Sequence, residues 1–110
     1  MANQSLSQKI KMIRKKDDDY PLLLKEIPNP PEKIFFLGNL QNKQINDKLK
    51  IAIVGTRRAT LDGRILAKEL AKKLVENEAI IVSGLAMGID TAAHQGTVEA
   101  NGKTIAVLAN

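Results

Sequence analysis

Two short stretches hold the residues whose types and spacing suit recognition of an anion. One is Gly55-Thr56-Arg57-Arg58-Ala59-Thr60; the other is Ser83-Gly84-Leu85-Ala86-Met87-Gly88-Ile89-Asp90, followed four residues later by His94. Glycine at 84 and 88 leaves backbone N–H groups open to close approach. Asp90 is of the type that caps a helix N-terminus, where free N–H groups and the helix dipole both favour negative charge. Arg57 would add a planar, permanently charged fork that suits bidentate hydrogen bonding to phosphate, with Arg58 either a second contact or a solvated neighbour. Asp90 and His94 share a helix face, a spacing that permits proton transfer. With no nucleophile or metal partner in sight, a cap and a locally bonded imidazole are the simpler expectation. Ser83 stands in S-G-L and not in G-x-S-x-G, which argues against a nucleophilic serine. Neither G-x-G-x-x-G after the first strand nor G-x-x-x-x-G-K-[ST] anywhere occurs, which argues against NAD binding and ATP hydrolysis of the usual kinds.

These stretches are presented by regular α/β alternation. Ile51–Val54 reads as a strand closed by Gly55, and residues 61–77 as a helix capped by Thr60 or Asp62, with Ile65, Leu66, Leu70 and Leu74 on one face beside Ala67 and Ala71. Ile80–Val82 is a short unalternated apolar run, as in a strand covered on both faces. A second helix runs over 90–101 with Gly102 as its stop, and Thr104–Leu108 is a third strand. The β-α-β-α-β order predicts a parallel sheet in a Rossmann-like, three-layer α/β/α arrangement, helices covering both faces if the winding reverses. Adjacent parallel strands then bring both glycine stretches to one edge of the sheet. Ala109 and Asn110 follow directly on the third strand, so the chain reads as the N-terminal part of something longer.

The preceding segment differs in texture. Residues 1–19 are expected to be a charged tail, mobile or weakly helical, with Leu6, Ile10 and Ile13 ahead of Arg14-Lys15-Lys16 and Asp17-Asp18-Asp19. Three adjacent carboxylates without a shaped loop make a poor cation site. Residues 20–50 contain all four prolines and read as a lead-in packed on the sheet edge: a short helix or edge strand at Leu22–Leu24, a strand at Ile34–Leu37 and a polar loop over 41–48.

The 110 residues are 44% hydrophobic, enough for one small core. The formal net charge of +5 favours an anionic partner, and its excess lies early: ten Lys and Arg against six Asp and Glu in residues 1–50, seven against six in 51–110. Aromatics amount to 3%, and only Tyr20, Phe35 and Phe36 are available, so a surface of stacked aromatics is excluded. The absence of Cys and the single His exclude disulfides and Cys- or His-rich metal sites, and no cofactor is expected. No run approaches the ~18 apolar residues of a membrane span, so the expectation is a cytoplasmic protein without membrane contact.

The strings IAIVGTRRAT, IIVSGLAMGIDTAAH and GKTIAVLAN, with the lead-in YPLLLKEIPNPPEKIFFLGNL, strongly resemble the Rossmann-like domain of the DprA/Smf family of DNA-processing proteins of natural transformation. The resemblance covers about residues 20–110 and implies a non-enzymatic activity: binding single-stranded DNA and loading the RecA recombinase onto it. It assigns Arg57 to a basic position of the DNA-binding pocket and Ser83, Gly84, Gly88, Asp90 and His94 to the signature of the pocket wall. With Gly55, Thr56 and Arg58 of the same turn these form the expected nucleic-acid-binding set. Family members continue into a G-x-D turn, an F-P-x-R-N-R motif and dimer-forming surfaces that have no counterpart here, so weakened DNA binding is expected of this chain and a homodimer only of full-length family members. A different class, the lysine-decarboxylase-like Rossmann proteins that bind nucleotides or hydrolyse nucleoside monophosphates, would require P-G-G-x-G-T-x-x-E, which is absent.

Overall fold

The computed structural model describes residues 10–38 and 42–108. The chain divides into two compact units between Asp47 and Lys48.

The first unit is built on a non-local pairing. Strands β1 (Lys11–Arg14) and β2 (Lys33–Phe36) run antiparallel, with Ile13 opposite Ile34 and Met12 opposite Phe35. Ile13 is buried and its neighbours are exposed. The expectation of a mobile or weakly helical tail is therefore corrected for residues 10–19, which form a strand and a turn; residues 1–9 lie outside the described part. The local apolar spacing suggested helix, but the partner that decides the state comes from twenty residues further on. Asp17 closes the turn: its carboxylate accepts from the Arg14 N–H at 2.8 Å and its N–H donates to the Arg14 carbonyl at 2.9 Å. Tyr20 is fully buried, its hydroxyl donating to the Pro31 carbonyl at 2.7 Å; burial, with Glu32 adding to it, raises its phenol pKa. Leu22–Lys25 is a one-turn helix, α1. Asn42–Asp47, inside the segment expected to be loop, is instead a short helix, α2, anchored by buried Ile45 and by Asn46, whose Oδ1 accepts from the Leu22 N–H at 3.2 Å.

In the second unit, β3 (Lys50–Ala52), β4 (Ile80–Ser83) and β5 (Thr104–Ala106) form a parallel sheet in the order β3-β4-β5, as expected from the sequence. Helices α3 (Leu61–Glu76) and α4 (Ile89–Glu99) lie within two residues of their expected bounds. Ladder bonds continue past the strand ends, from the Ile53 N–H to the Val82 carbonyl and from the Val107 N–H to the Ser83 carbonyl. Strand order follows chain order without reversal, so right-handed crossovers put both helices on one face. They pack on each other and on β4. The described residues thus make two layers; a third would need a reversal they do not contain. On the opposite face Ala52 is exposed and Val82 and Ile105 are half-buried.

The core joins Ile53 and Ile81 of the sheet to Ala71 and Ala93 of the helices, with Leu74, Val75 and Ile89 packed around them. This corrects the expected helix face. Ala71 is fully buried, whereas Leu66 is 69% and Leu70 46% exposed. Small residues win the interface because the helices approach too closely for leucine: a Cβ at Gly96 would lie 2.3 Å from the Lys68 carbonyl oxygen. Glu99 of α4 bridges Lys68 and Lys72 of α3 at 2.6 and 2.9 Å, and hydrogen bonds from these ammonium groups lower its carboxyl pKa.

Both helices stop on left-handed residues. At the end of α3, Glu78 takes φ +66° while the Ala79 N–H returns to the Leu74 carbonyl; at the end of α4, Asn101 takes φ +58° while the Gly102 N–H returns to the Thr97 carbonyl. Each motif turns the chain straight into the next strand. The left-handed residue of the second stop is Asn101, one before the glycine singled out from sequence.

Candidate functional site

The two glycine stretches meet at the carboxyl edge of the sheet. Gly88 has φ +88°, and a Cβ there would lie 2.4 Å from the Thr56 carbonyl oxygen and 2.7 Å from that of Arg57. Only glycine fits this place, and the loop after β4 consequently lies against the turn after β3. The Ile89 N–H donates to the Thr56 carbonyl at 3.3 Å. Asp90, 8% exposed, ties the same loops from the first turn of α4: its Oδ1 accepts from the Gly55 N–H at 3.2 Å. Asp90 is not the helix cap that its type suggested. Gly88 holds that position, without a side-chain bond, and Asp90 sits one residue inside the helix, where its charge still complements the dipole. Thr60, by contrast, caps α3 as expected, accepting from the Gly63 N–H at 3.0 Å.

The polar residues of the signature are held by protein partners. Ser83 is buried and its hydroxyl donates to the Ile53 carbonyl at 2.5 Å, joining β4 to the end of β3. His94 is held at both ring nitrogens, with Nε2 2.6 Å from the Gly84 carbonyl oxygen and Nδ1 2.6 Å from the Thr104 hydroxyl. A carbonyl only accepts, so Nε2 carries a hydrogen and donates to Gly84. Neither nitrogen is left to move a substrate proton or bind a metal, and no described group of three or more His, Cys, Asp or Glu side chains could hold an ion. The α4 N-terminus is also less open than a phosphate cradle requires. Its Ile89 N–H is taken by Thr56, and its Thr91 N–H donates to the Ala86 carbonyl at 3.2 Å, reinforced by the Thr91 hydroxyl at 2.7 Å.

What stays available is the rim. Arg57 and Arg58 are exposed on the turn, which the Thr56 hydroxyl stabilises by accepting from the Arg58 N–H at 3.2 Å. Neither guanidinium has an ion-pair partner among the described residues. Arg64, which no sequence motif marks, donates from Nη1 to the Ala59 carbonyl at 3.2 Å and so keeps a third guanidinium against the same loop. Thr91 and Thr104 act here too; single threonines inside helices and strands carry no local mark, and their roles follow from contacts with other elements.

A parallel α/β unit of Rossmann-like type, with a cationic turn locked onto a glycine loop at its carboxyl edge, is the class defined by these features. The chain belongs to the DNA recombination-mediator protein A family, whose model matches residues 11–110. It is 46% identical over 94 residues to the DNA processing protein DprA of Streptococcus pneumoniae, covering 84% of this chain and 31% of that protein. It is 44% identical over 93 residues to the Synechocystis protein Smf, covering 84% and 23%. Among solved structures, DprA from Streptococcus pneumoniae matches with a TM-score of 0.80 at 40% identity, over 96% of this chain and 36% of that one. The Helicobacter pylori DprA, in a structure described as giving its single-stranded DNA binding mode, matches with a TM-score of 0.74 at 31% identity, over 93% and 43%. The chain thus spans about a quarter to a third of the length of these curated relatives. No described helix is long and apolar enough to cross a membrane.

Proposed function

We propose that this chain supplies part of the single-stranded DNA contact surface of a recombination mediator, and that Arg57 and Arg58 make its backbone contacts. The observation that carries this reading is the pair of exposed guanidinium groups, without an ion-pair partner among the described residues, on a turn whose backbone is held by Gly88, Asp90 and Ile89. A rigidly presented arginine fork suits phosphate oxygens and is indifferent to base identity. Ser83, Gly84 and His94 support the surface from beneath without touching the strand; Gly55, Thr56, Gly88 and Asp90 fix the turn. The role is one of binding and not of catalysis, and handing the strand to a RecA-type recombinase and working as a dimer belong to the same proposal.

Arg57→Ala tests it directly. Titration of a labelled oligothymidylate across a salt series should show weaker binding and a slope of log affinity against log salt shallower by about 0.7, the value for one phosphate contact on a single strand. His94→Ala should change affinity less than Arg57→Ala. Identical slopes for the parent and Arg57→Ala proteins would place the contact elsewhere.

A further inference from the structure

In the first unit one aromatic ring lies in the open. Tyr20 is buried and Phe36 half-buried, but Phe35 is 64% exposed. The β1–β2 register explains why. Ile13, Ile34 and Phe36 share the inner side of the ribbon, so Met12, Arg14, Lys33 and Phe35 share the outer one. Two features of this outer face do not serve stability. Arg14 stands directly opposite Lys33, a like-charge cross-strand pair that disfavours the ribbon, and no described carboxylate pairs with either. Met12 stands opposite Phe35, an apolar pair left in solvent, with exposed Ile10 and Leu37 continuing it. The Lys33 ammonium lies 5.9 Å from the Phe35 ring centroid, so cation and ring are within reach of one bound group.

We infer that this face is a contact for a single-stranded nucleic-acid segment, with one phosphate between Arg14 and Lys33 and one base stacked on Phe35 beside Met12. Like charges face to face are relieved by an anion between them, and an exposed ring flanked by cations fits a ligand with a flat ring at one end and a negative charge at the other. A nucleotide has both. Stacking on a ring is tolerant of base identity, in keeping with backbone recognition at the arginine turn. This inference rests on the reading that the chain binds single-stranded DNA, and adds to it a base contact that the arginine turn does not provide.

The test uses the whole chain and two probes: a labelled oligothymidylate and an abasic strand of equal length. Phe35→Leu, which keeps an exposed apolar side chain but removes the ring, should lower oligothymidylate affinity by roughly fivefold or more and leave abasic affinity unchanged, and Phe35→Tyr should restore the parent value. Arg14→Gln with Lys33→Gln should weaken both probes and lower the salt slope. Equal oligothymidylate affinities for parent and Phe35→Leu proteins overturn the inference even where Arg57→Ala weakens binding. A fall with Phe35→Leu but none with Arg57→Ala keeps the ribbon contact and removes the arginine turn. A concentration-dependent dimer abolished by Phe35→Leu, with DNA affinity unchanged, overturns the inference in favour of a second copy of the chain. No binding of either probe by the parent overturns both readings.

Discussion

The interior and the rim of the sheet edge behave oppositely. Ser83, Asp90 and His94, the residues whose types look most chemical, are bonded to Ile53, Gly55, Gly84 and Thr104 and hold loops together. Arg57 and Arg58, one turn away, are exposed and have no ion-pair partner among the described residues. A dense polar signature can thus be a scaffold for its plainest neighbours. A buried donor or acceptor must find a partner, so polar groups inside a small fold are drawn into structure, whereas a guanidinium at the surface costs little to leave free.

Substitutions should separate the two classes. The largest effect is expected from Gly88→Ala, which combines a left-handed φ with a Cβ driven into the Thr56 carbonyl; it should cost roughly 3 kcal/mol in urea unfolding. A loss below half of that would mean that the two loops part easily and that the turn is not rigidly presented. Asp90→Ala should come next, at about 2 kcal/mol, because it leaves the Gly55 N–H without its acceptor. Hydrogen exchange at the Gly55 amide should accelerate in the same variant. Arg57→Ala should alter unfolding by no more than about 0.5 kcal/mol while weakening DNA, the signature of a rim residue. A large stability loss there would erase the distinction between interior and rim. The smallest effect concerns Glu99, whose carboxyl pKa Lys68 and Lys72 hold below the usual range. Its contribution is present above the unfolded-state pKa of about 4.3 and is lost as pH falls through the lower folded-state value. The stability difference between the parent and Glu99→Gln proteins should therefore narrow on acidification, and one that stays constant to low pH would remove the bridge from the account.

Legibility in the sequence tracked the range of the interactions. Strands at Ile51 and Ile80 and helices over 61–76 and 89–99 were readable because apolar runs, a Thr60 cap and turn residues are local signals. The placement of Arg57 beside the Gly88 loop was readable too, since parallel neighbours deliver their exits to one edge. The fate of the α3 leucines was not. Periodicity marks a face as apolar, but whether Ala71 or Leu70 is covered depends on how near the other helix comes. Likewise β1 could not be recognised without Lys33–Phe36 beside it.

The α/β order, the parallel sheet, the edge where the two loops meet and the family follow from short-range pattern and from strings of residues. How the polar residues are used is set instead by the packed fold. A carboxylate at Asp90 can cap its own helix, cradle a ligand or reach across to another loop, and all three satisfy the same local rules. The choice fell to the position of the Gly55 N–H, which the sheet brings to the first turn of α4 from 35 residues away in sequence. Hydrogen-bond partners at that range are set by packing, and packing is settled only when every element has found its place.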